Sequence, residues 1–203
     1  MTNIIEVNYH QTGKSKKTNS FGMRDMQEKA FNSRNEKYLL LKAPPASGKS
    51  RALMFIALDK LYHQGIKKVI VAVPERSIGG SFGLTDLKKD GFFASWEPNP
   101  IYNLCMAGGE KSKVDAFKRF MQSDEKILIC THATLRFAFK ELDESNFDNC
   151  LLAIDEFHHV SADGDNQLGE LIRSIIQNST AHIVAMTGSY FRGDSVPVLL
   201  PED

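Results

Sequence analysis

Apolar residues in this chain come in two patterns: short, nearly unbroken runs, and longer stretches in which they recur every three or four positions. Lys68-Val-Ile-Val-Ala-Val73, stopped by Pro74, is a β-branched run suited to a parallel strand buried on both faces. Comparable runs occur at 38–41, 101–107, 126–130, 150–154 and 182–186, and each predicts a strand. Helical spacing lies between them. Met23, Met26, Ala30 and Phe31 fall on or near one face of a helix that the pattern starts near Phe21. Val114, Phe117 and Met121 mark a second helix, opened by a capping-box pattern at Ser112 and Asp115, and Leu168, Leu171, Ile172, Ile175 and Ile176 mark another. Strands alternating with helices imply right-handed crossovers and an α/β fold, a mostly parallel sheet sandwiched by helices.

Two stretches do not follow either period. Arg76 to Pro100 holds four glycines and no regular pattern, and a loop of that length in a compact domain is either functional or an insertion. Residues 1–20 contain Ile4, Ile5 and Val7 but then a polar run from Thr12 to Ser20, which reads as an exposed, flexible segment ahead of one domain over 21–203.

In a parallel sheet ligands collect at the carboxyl ends of the strands, and polar motifs follow each apolar run there. The run at Leu39–Leu41 leads into Ala43-Pro44-Pro45-Ala46-Ser47-Gly48-Lys49-Ser50, followed at once by a helix-forming segment beginning with Arg51. A tight loop entering a helix N-terminus aims backbone N–H groups at one place, where the helix dipole favours negative charge, so phosphates bind there. Lys49 would reach the β- and γ-phosphates and Ser50 would bind a magnesium ion. Ala43 stands where the G-x-x-x-x-G-K-[ST] pattern begins with glycine, so the loop should enter without a positive φ at that position. A second Gly-Lys-Ser, at residues 13–15, has no apolar strand before it and sits in a polar run. After the strand 150–154 come Asp155 and Glu156, a carboxylate pair suited to holding magnesium and to activating water, although an exposed turn would also place two acids there.

Composition narrows the setting. Two hundred and three residues, 42% of them hydrophobic, bury one sizeable core. Twenty-five basic and twenty-five acidic side chains cancel, so any nucleic-acid surface is local rather than global. The three cysteines lie far apart in apolar runs without zinc-ligand spacing and read as reduced, buried thiols. No apolar run is long enough for a bilayer, and the amino terminus is not a signal peptide, so a soluble, cytoplasmic protein is expected.

With Phe157 and His158 the carboxylate pair spells Asp-Glu-Phe-His, and here the chain resembles the first RecA-like domain of a superfamily 2 helicase or translocase of the DExH type, a P-loop NTPase. Arg24 and Gln27 fall where that family keeps its adenine-reading glutamine. Ala43 to Ser50 resembles its motif I, Pro74-Glu-Arg-Ser77 its motif Ia, Gly108-Gly109 its motif Ib, Thr131 to Thr134 the turn that follows, Asp155 to His158 its motif II, and Thr187-Gly-Ser189 its motif III. The wording ASGKSR, DEFHH and TGSYFRGDS is similar to the branch with restriction-enzyme motor subunits and related phage or defence helicases.

The resemblance implies ATP and Mg2+ as cofactors, with Lys49, Asp155, Glu156 and His158 in catalysis, Ser50 and Asp155 on the metal, and Arg24, Gln27 and the loop from Ala43 to Arg51 around the nucleotide. It implies backbone contacts to a nucleic-acid strand from Pro74, Arg76, Gly108, Gly109, Lys111, Thr131 and Thr134, and coupling of the two sites through Thr187 and Ser189. The family also uses a second RecA-like domain with an arginine finger, which the 203 residues do not hold. The chain alone is therefore expected to bind ATP and hardly turn it over. Two other readings stay open: a nucleotide-dependent binding or switch module without translocation, and a small P-loop phosphotransferase complete in itself.

Overall fold

A computed structural model of the chain describes residues 4–6, 19–106, 109–157 and 167–188. Its centre is a six-stranded sheet in the order β1-β2-β6-β5-β3-β4, in which every pair is parallel. The strands are β1 (Ile4–Glu6), β2 (Tyr38–Lys42), β3 (Lys68–Val73), β4 (Ile127–Thr131), β5 (Cys150–Ile154) and β6 (His182–Thr187). β3, β4, β5 and most of β6 are buried along their length, as their unbroken apolar runs require. β1 forms one edge and β4 the other, so the apolar start of the segment read as flexible pairs with Leu40, Leu41 and Lys42 of the same sheet.

Alternation of side chains along each strand divides the core into two layers. Val69, Val71 and Val73 of β3 face α1 (Asp25–Asn32) and α2 (Lys49–His63), together with Ile129, Ala153 and Val184. Ile70 and Ala72 face the other way, toward α3 (Glu110–Gln122), α4 (His132–Phe139) and α5 (Gln167–Asn178), with Leu128, Leu152 and Ile154. α2 is buried along most of its length, which explains its Leu, Met, Phe, Ile and Ala content.

Three expectations are corrected. Residues 101–107 are not a strand over their described part: Asn99 caps a short 3-10 helix, Pro100–Tyr102, by accepting from the Ile101 N–H at 3.1 Å, and Ile101 is 74% exposed. Only a single parallel bridge, Asn103 to Ile129, touches the sheet. The first helix starts at Asp25 rather than Phe21 because the Asn19 side chain holds the N–H groups of Phe21 and Met23 in a turn. α3 starts at Glu110 with Gly109 as its N-cap, and the Ser112 hydroxyl, already inside the first turn, donates to the Gly109 carbonyl at 2.7 Å.

The stretch from Arg76 to Pro100 is packed despite its lack of period. It contains 3-10 turns at Arg76–Phe82 and Lys88–Asp90 and an antiparallel bridge between Thr85 and Trp96. Phe82, Leu87, Phe92, Ala94 and Trp96 are all buried, and the indole N–H of Trp96 donates to the Phe82 carbonyl at 2.7 Å. Aromatic anchors carry the burial that a helix would otherwise supply.

Candidate nucleotide site and its neighbours

Because all strands run the same way, the turns after β2, β5, β6, β3 and β4 meet at one end of the sheet. The phosphate loop leaves β2 with Ala43 buried and its N–H donating to the Thr187 carbonyl of β6 at 3.1 Å. Ala43 is not among the described residues with positive φ, as its side chain requires; the left-handed positions of the loop are Ala46 at 60° and Gly48 at 93°. Pro44, Pro45 and Ala46 are exposed, whereas Ser47 and Lys49 are buried and Gly48 and Ser50 half-buried. The φ at position 48 favours glycine, and a side chain there would stand 2.5 Å from Nε2 of Gln27 and displace that amide from the Gly48 carbonyl.

Lys49 does not project into open space. Its ammonium donates to the carbonyls of Ala43, at 2.9 Å, and Pro44, at 3.4 Å, and lies 4.0 Å from Glu156 Oε1. It sits inside the loop that phosphates would enter. The Ser47 hydroxyl is buried with no hydrogen-bond partner, an orphan that costs about 1–3 kcal/mol unless something bonds it. A phosphate oxygen in the loop would satisfy both groups, so the residues present fit a polyphosphate.

On the facing side Asp155 continues β5 and is buried; its N–H donates to the Ala72 carbonyl. Burial raises its pKa, the neighbouring Glu156 charge raises it further, and the Glu156 N–H and Lys49 act against both. A buried carboxyl held above its ordinary range fits a cation that would restore its charge. Glu156 adopts φ 48°, a strained value for glutamate; its N–H donates to Asp155 Oδ1 at 3.0 Å and its Oε2 accepts from the Gly188 N–H at 3.4 Å. Among the described residues, no three His, Cys, Asp or Glu gather to hold a metal by themselves, so Ser50 and Asp155 would share magnesium with the nucleotide's own oxygens.

Gln27 is 1% exposed and thus not a solvated side chain. Its Nε2 donates to the Gly48 carbonyl at 3.2 Å and its Oε1 accepts from the Arg24 N–H at 2.9 Å, tying α1 to the phosphate loop. Arg24 is half-buried beside it, with Nη1 3.7 Å from the position a Gly48 side chain would take. Arg51, one residue into the helix from Ser50, pairs with Asp90 of the 76–100 stretch at 2.6 Å.

The residues expected to hold a strand divide by exposure. Arg76, Gly109 and Lys111 are exposed and Pro74 is half-buried. Thr131 and Thr134 are buried; their hydroxyls lie 3.0 Å apart, and Thr131 Oγ1 accepts from the Thr134 N–H, which makes Thr131 the N-cap of α4. Their hydroxyls therefore serve the helix in this conformation rather than facing a phosphate backbone. Thr187 is buried at the end of β6, while Gly108, His158 and Ser189 lie outside the described residues. Sequence reading missed His132 at the start of α4. Its Nε2 lies 3.0 Å from the Asp155 carbonyl and must carry the proton, because a carbonyl only accepts. Its place in the Thr131–Thr134 turn was the only available signal.

A family model described as DEAD/DEAH box helicase matches residues 24–193. The chain belongs to the DEAD/DEAH box helicase family. Along its whole length it is 72% identical to "Putative ATP-dependent helicase YeeB" of Bacillus subtilis (strain 168), and it spans 34% of that protein's length. Among solved structures it is similar to the Hef helicase domain of Pyrococcus furiosus, with a TM-score of 0.60, 18% identity, 87% of this chain covered and 33% of the other. It is also similar to the DUF1998 helicase MrfA bound to DNA and AMPPNP, with a TM-score of 0.57 and 16% identity over 84% of this chain and 24% of that one. At such identities the likeness is one of fold. The helicase-type domain and its RecA-like sheet agree with the resemblance drawn from Asp-Glu-Phe-His and the phosphate loop. No helix among the described residues is long and apolar enough to cross a membrane.

Proposed function

We propose that this chain is the ATP-binding first motor domain of a superfamily 2 DNA or RNA helicase or translocase, coupling ATP hydrolysis to movement on nucleic acid. The observation that carries the reading is the convergence, at one end of the sheet, of the Lys49 ammonium 4.0 Å from Glu156 Oε1, the unpartnered buried Ser47 hydroxyl and the buried Asp155 side chain. On entry of ATP, Lys49 would exchange the Ala43 and Pro44 carbonyls for phosphate oxygens, and Ser47 would gain the acceptor it lacks. Magnesium, held by Ser50 and Asp155, would supply charge neutralisation on the phosphates. Glu156 would orient a water against the terminal phosphate and take its proton on a carboxylate oxygen. The strained turn at Glu156, braced by Gly188, keeps that carboxylate on the Lys49 side.

The nucleic acid would lie across the exposed Arg76, Gly109 and Lys111, contacted through its backbone and without reading of bases. A second RecA-like domain would close on the same end of the sheet and supply an arginine to the transition state. The similarity of the fold to MrfA, which was solved with DNA and AMPPNP, supports both ligands. The test is Lys49→Ala. Titration calorimetry should find ATP affinity reduced by about 10- to 100-fold, the loss of a charged hydrogen bond of roughly 1.5–3 kcal/mol, with the melting curve preserved. Unchanged affinity would remove the phosphate-loop assignment.

A further inference from the structure

The stretch between Pro74 and Pro100 carries no nucleotide-binding motif, yet Leu87 and Phe92 of its turn at 87–93 pack in the same core layer as Met23 and Met26, beside Arg24 and Gln27, and the phosphate-loop helix. Phe92 is 4% exposed and meets three rings from that side edge-on: Phe21 at 5.7 Å, Phe31 at 5.7 Å and Phe55 of α2 at 4.7 Å. Gly91, at φ 95°, comes so close to the chain at Ser20 that any side chain would collide with the Ser20 carbonyl. Asp90 packs in the same way on Gly22, whose own side chain, were there one, would stand 2.7 Å from Asp90 Cβ. From there the Asp90 carboxylate reaches Arg51 at 2.6 Å, and the Arg51 guanidinium lies over the Phe55 ring at 5.5 Å.

The loop from Ser20 to Arg24 is thereby clamped between the turn and the phosphate-loop helix. That loop ends in the residues that touch Gly48, through the Gln27 amide and beside Arg24. A charged pair at this distance, with the Asp90 side chain 12% and the Arg51 side chain 29% exposed, is fixed better than a solvated one.

We propose that Asp90, in the turn Leu87–Phe93, is a positioning residue for the nucleotide site, holding Arg51 and the Ser20–Arg24 loop against the phosphate-loop helix. The inference rests on the phosphate-loop reading above and on the expectation that Arg24 and Gln27 face the base. It adds that selection of a nucleoside triphosphate over bare polyphosphate depends on a segment no motif marks. Lys49 and Ser47 serve any polyphosphate, whereas the clamped loop serves only a ligand that carries a base.

The test is calorimetric titration of the 203-residue protein with ATP and, separately, with inorganic tripolyphosphate, both with magnesium. Asp90→Ala should weaken ATP by about tenfold or more, through release of the Ser20–Arg24 loop, while tripolyphosphate stays within about twofold. Asp90→Asn keeps the packing on Gly22 and removes the charge, and it should give the same split even if the alanine variant folds poorly. Arg51→Ala combined with Asp90→Ala should cost less ATP affinity than the sum of the two single changes, since the pair between them is shared. Equal losses of ATP and tripolyphosphate in Asp90→Asn would make the turn a general prop of the fold and overturn the proposal alone. Lys49→Ala without effect on either ligand would overturn the phosphate-loop reading and the proposal with it.

Discussion

Replacing His182 by asparagine should remove a pH-dependent share of this protein's stability. His182 opens β6 at the end of the sheet opposite the nucleotide site, with Nδ1 2.8 Å from the ammonium of Lys60. Lys60 is fully buried and also donates to the Glu36 carbonyl at 2.9 Å and to Gln64 Oε1 at 3.2 Å. An ammonium has no lone pair, so Nδ1 accepts and the imidazole is neutral. Burial, followed by the charges of Lys60 and Lys37, pushes the His182 pKa down from 6.5 to about 4. Between those values the unfolded chain binds a proton that the folded chain refuses. Stability is therefore present above the unfolded pKa and is lost as pH falls through the window. A gap of this size, at about 1.4 kcal/mol per unit, has a ceiling of about 3 kcal/mol, of which roughly 2 kcal/mol is gone by about pH 4.5. Asparagine can still accept from Lys60 but does not titrate. Urea unfolding followed through the emission of Trp96, the only tryptophan, should show the wild type losing roughly 2 kcal/mol more than His182→Asn between neutral pH and about pH 4.5. Asp155 also titrates at low pH, with the opposite sign because burial raises its pKa, but it is common to both proteins and cancels in the difference. Parallel losses in the two proteins would refute a neutral, desolvated His182.

Three further outcomes follow from the site and its supports. The 203-residue chain should release phosphate from ATP slowly and Glu156→Gln should slow it further while ATP still binds; fast turnover abolished by that change would mean that the site needs no partner domain. Trp96→Ala should cost about 3–5 kcal/mol by emptying the centre of the 76–100 stretch and freeing the Phe82 carbonyl, read as a lowered urea midpoint, and a loss under about 1 kcal/mol would contradict its anchoring role. Thr131→Ala should cost about 1 kcal/mol through loss of the α4 cap, and if Thr131 acts only as that cap, binding of single strands at low salt should be unchanged.

The parts of the fold legible in the sequence were those in which burial and period coincide. The runs at 68–73, 126–130, 150–154 and 182–186 are buried, so their composition alone marks them as parallel strands, even though the second lies at the edge of the sheet. Ile101 to Ala107 has similar composition, but Asn99 and Pro100 start a tight turn there, and local capping outweighed β propensity. The 76–100 stretch was unreadable for the opposite reason. Its buried apolar side chains sit at 82, 87, 92, 94 and 96, in one cluster with residues of α1 and α2 and at a spacing that no helix or strand would give. In the site, Lys49, Asp155 and Glu156 could be named because each follows a strand in a fixed order. The ties between them could not: Gln27 to Gly48, His132 to Asp155 and Asp90 to Arg51 each join residues more than twenty positions apart.

The place of β6 has a mechanical consequence. It separates β2, which carries the phosphate loop, from β5, which carries the acids, and its end is fastened to both: the Thr187 carbonyl to the Ala43 N–H, the Met186 carbonyl to the Phe157 N–H at 2.7 Å, and the Gly188 N–H to Glu156. A spacer pinned on both sides sets the distance between the phosphate loop and the acids much as a crossbar sets the gauge of two rails. Neither rail can slide along the other without breaking a bond to the bar. Any change of gap between Lys49 and Glu156 must then come from the side chains themselves or from release of the bar's end, and amide exchange at Gly188 is where such a release would first be felt.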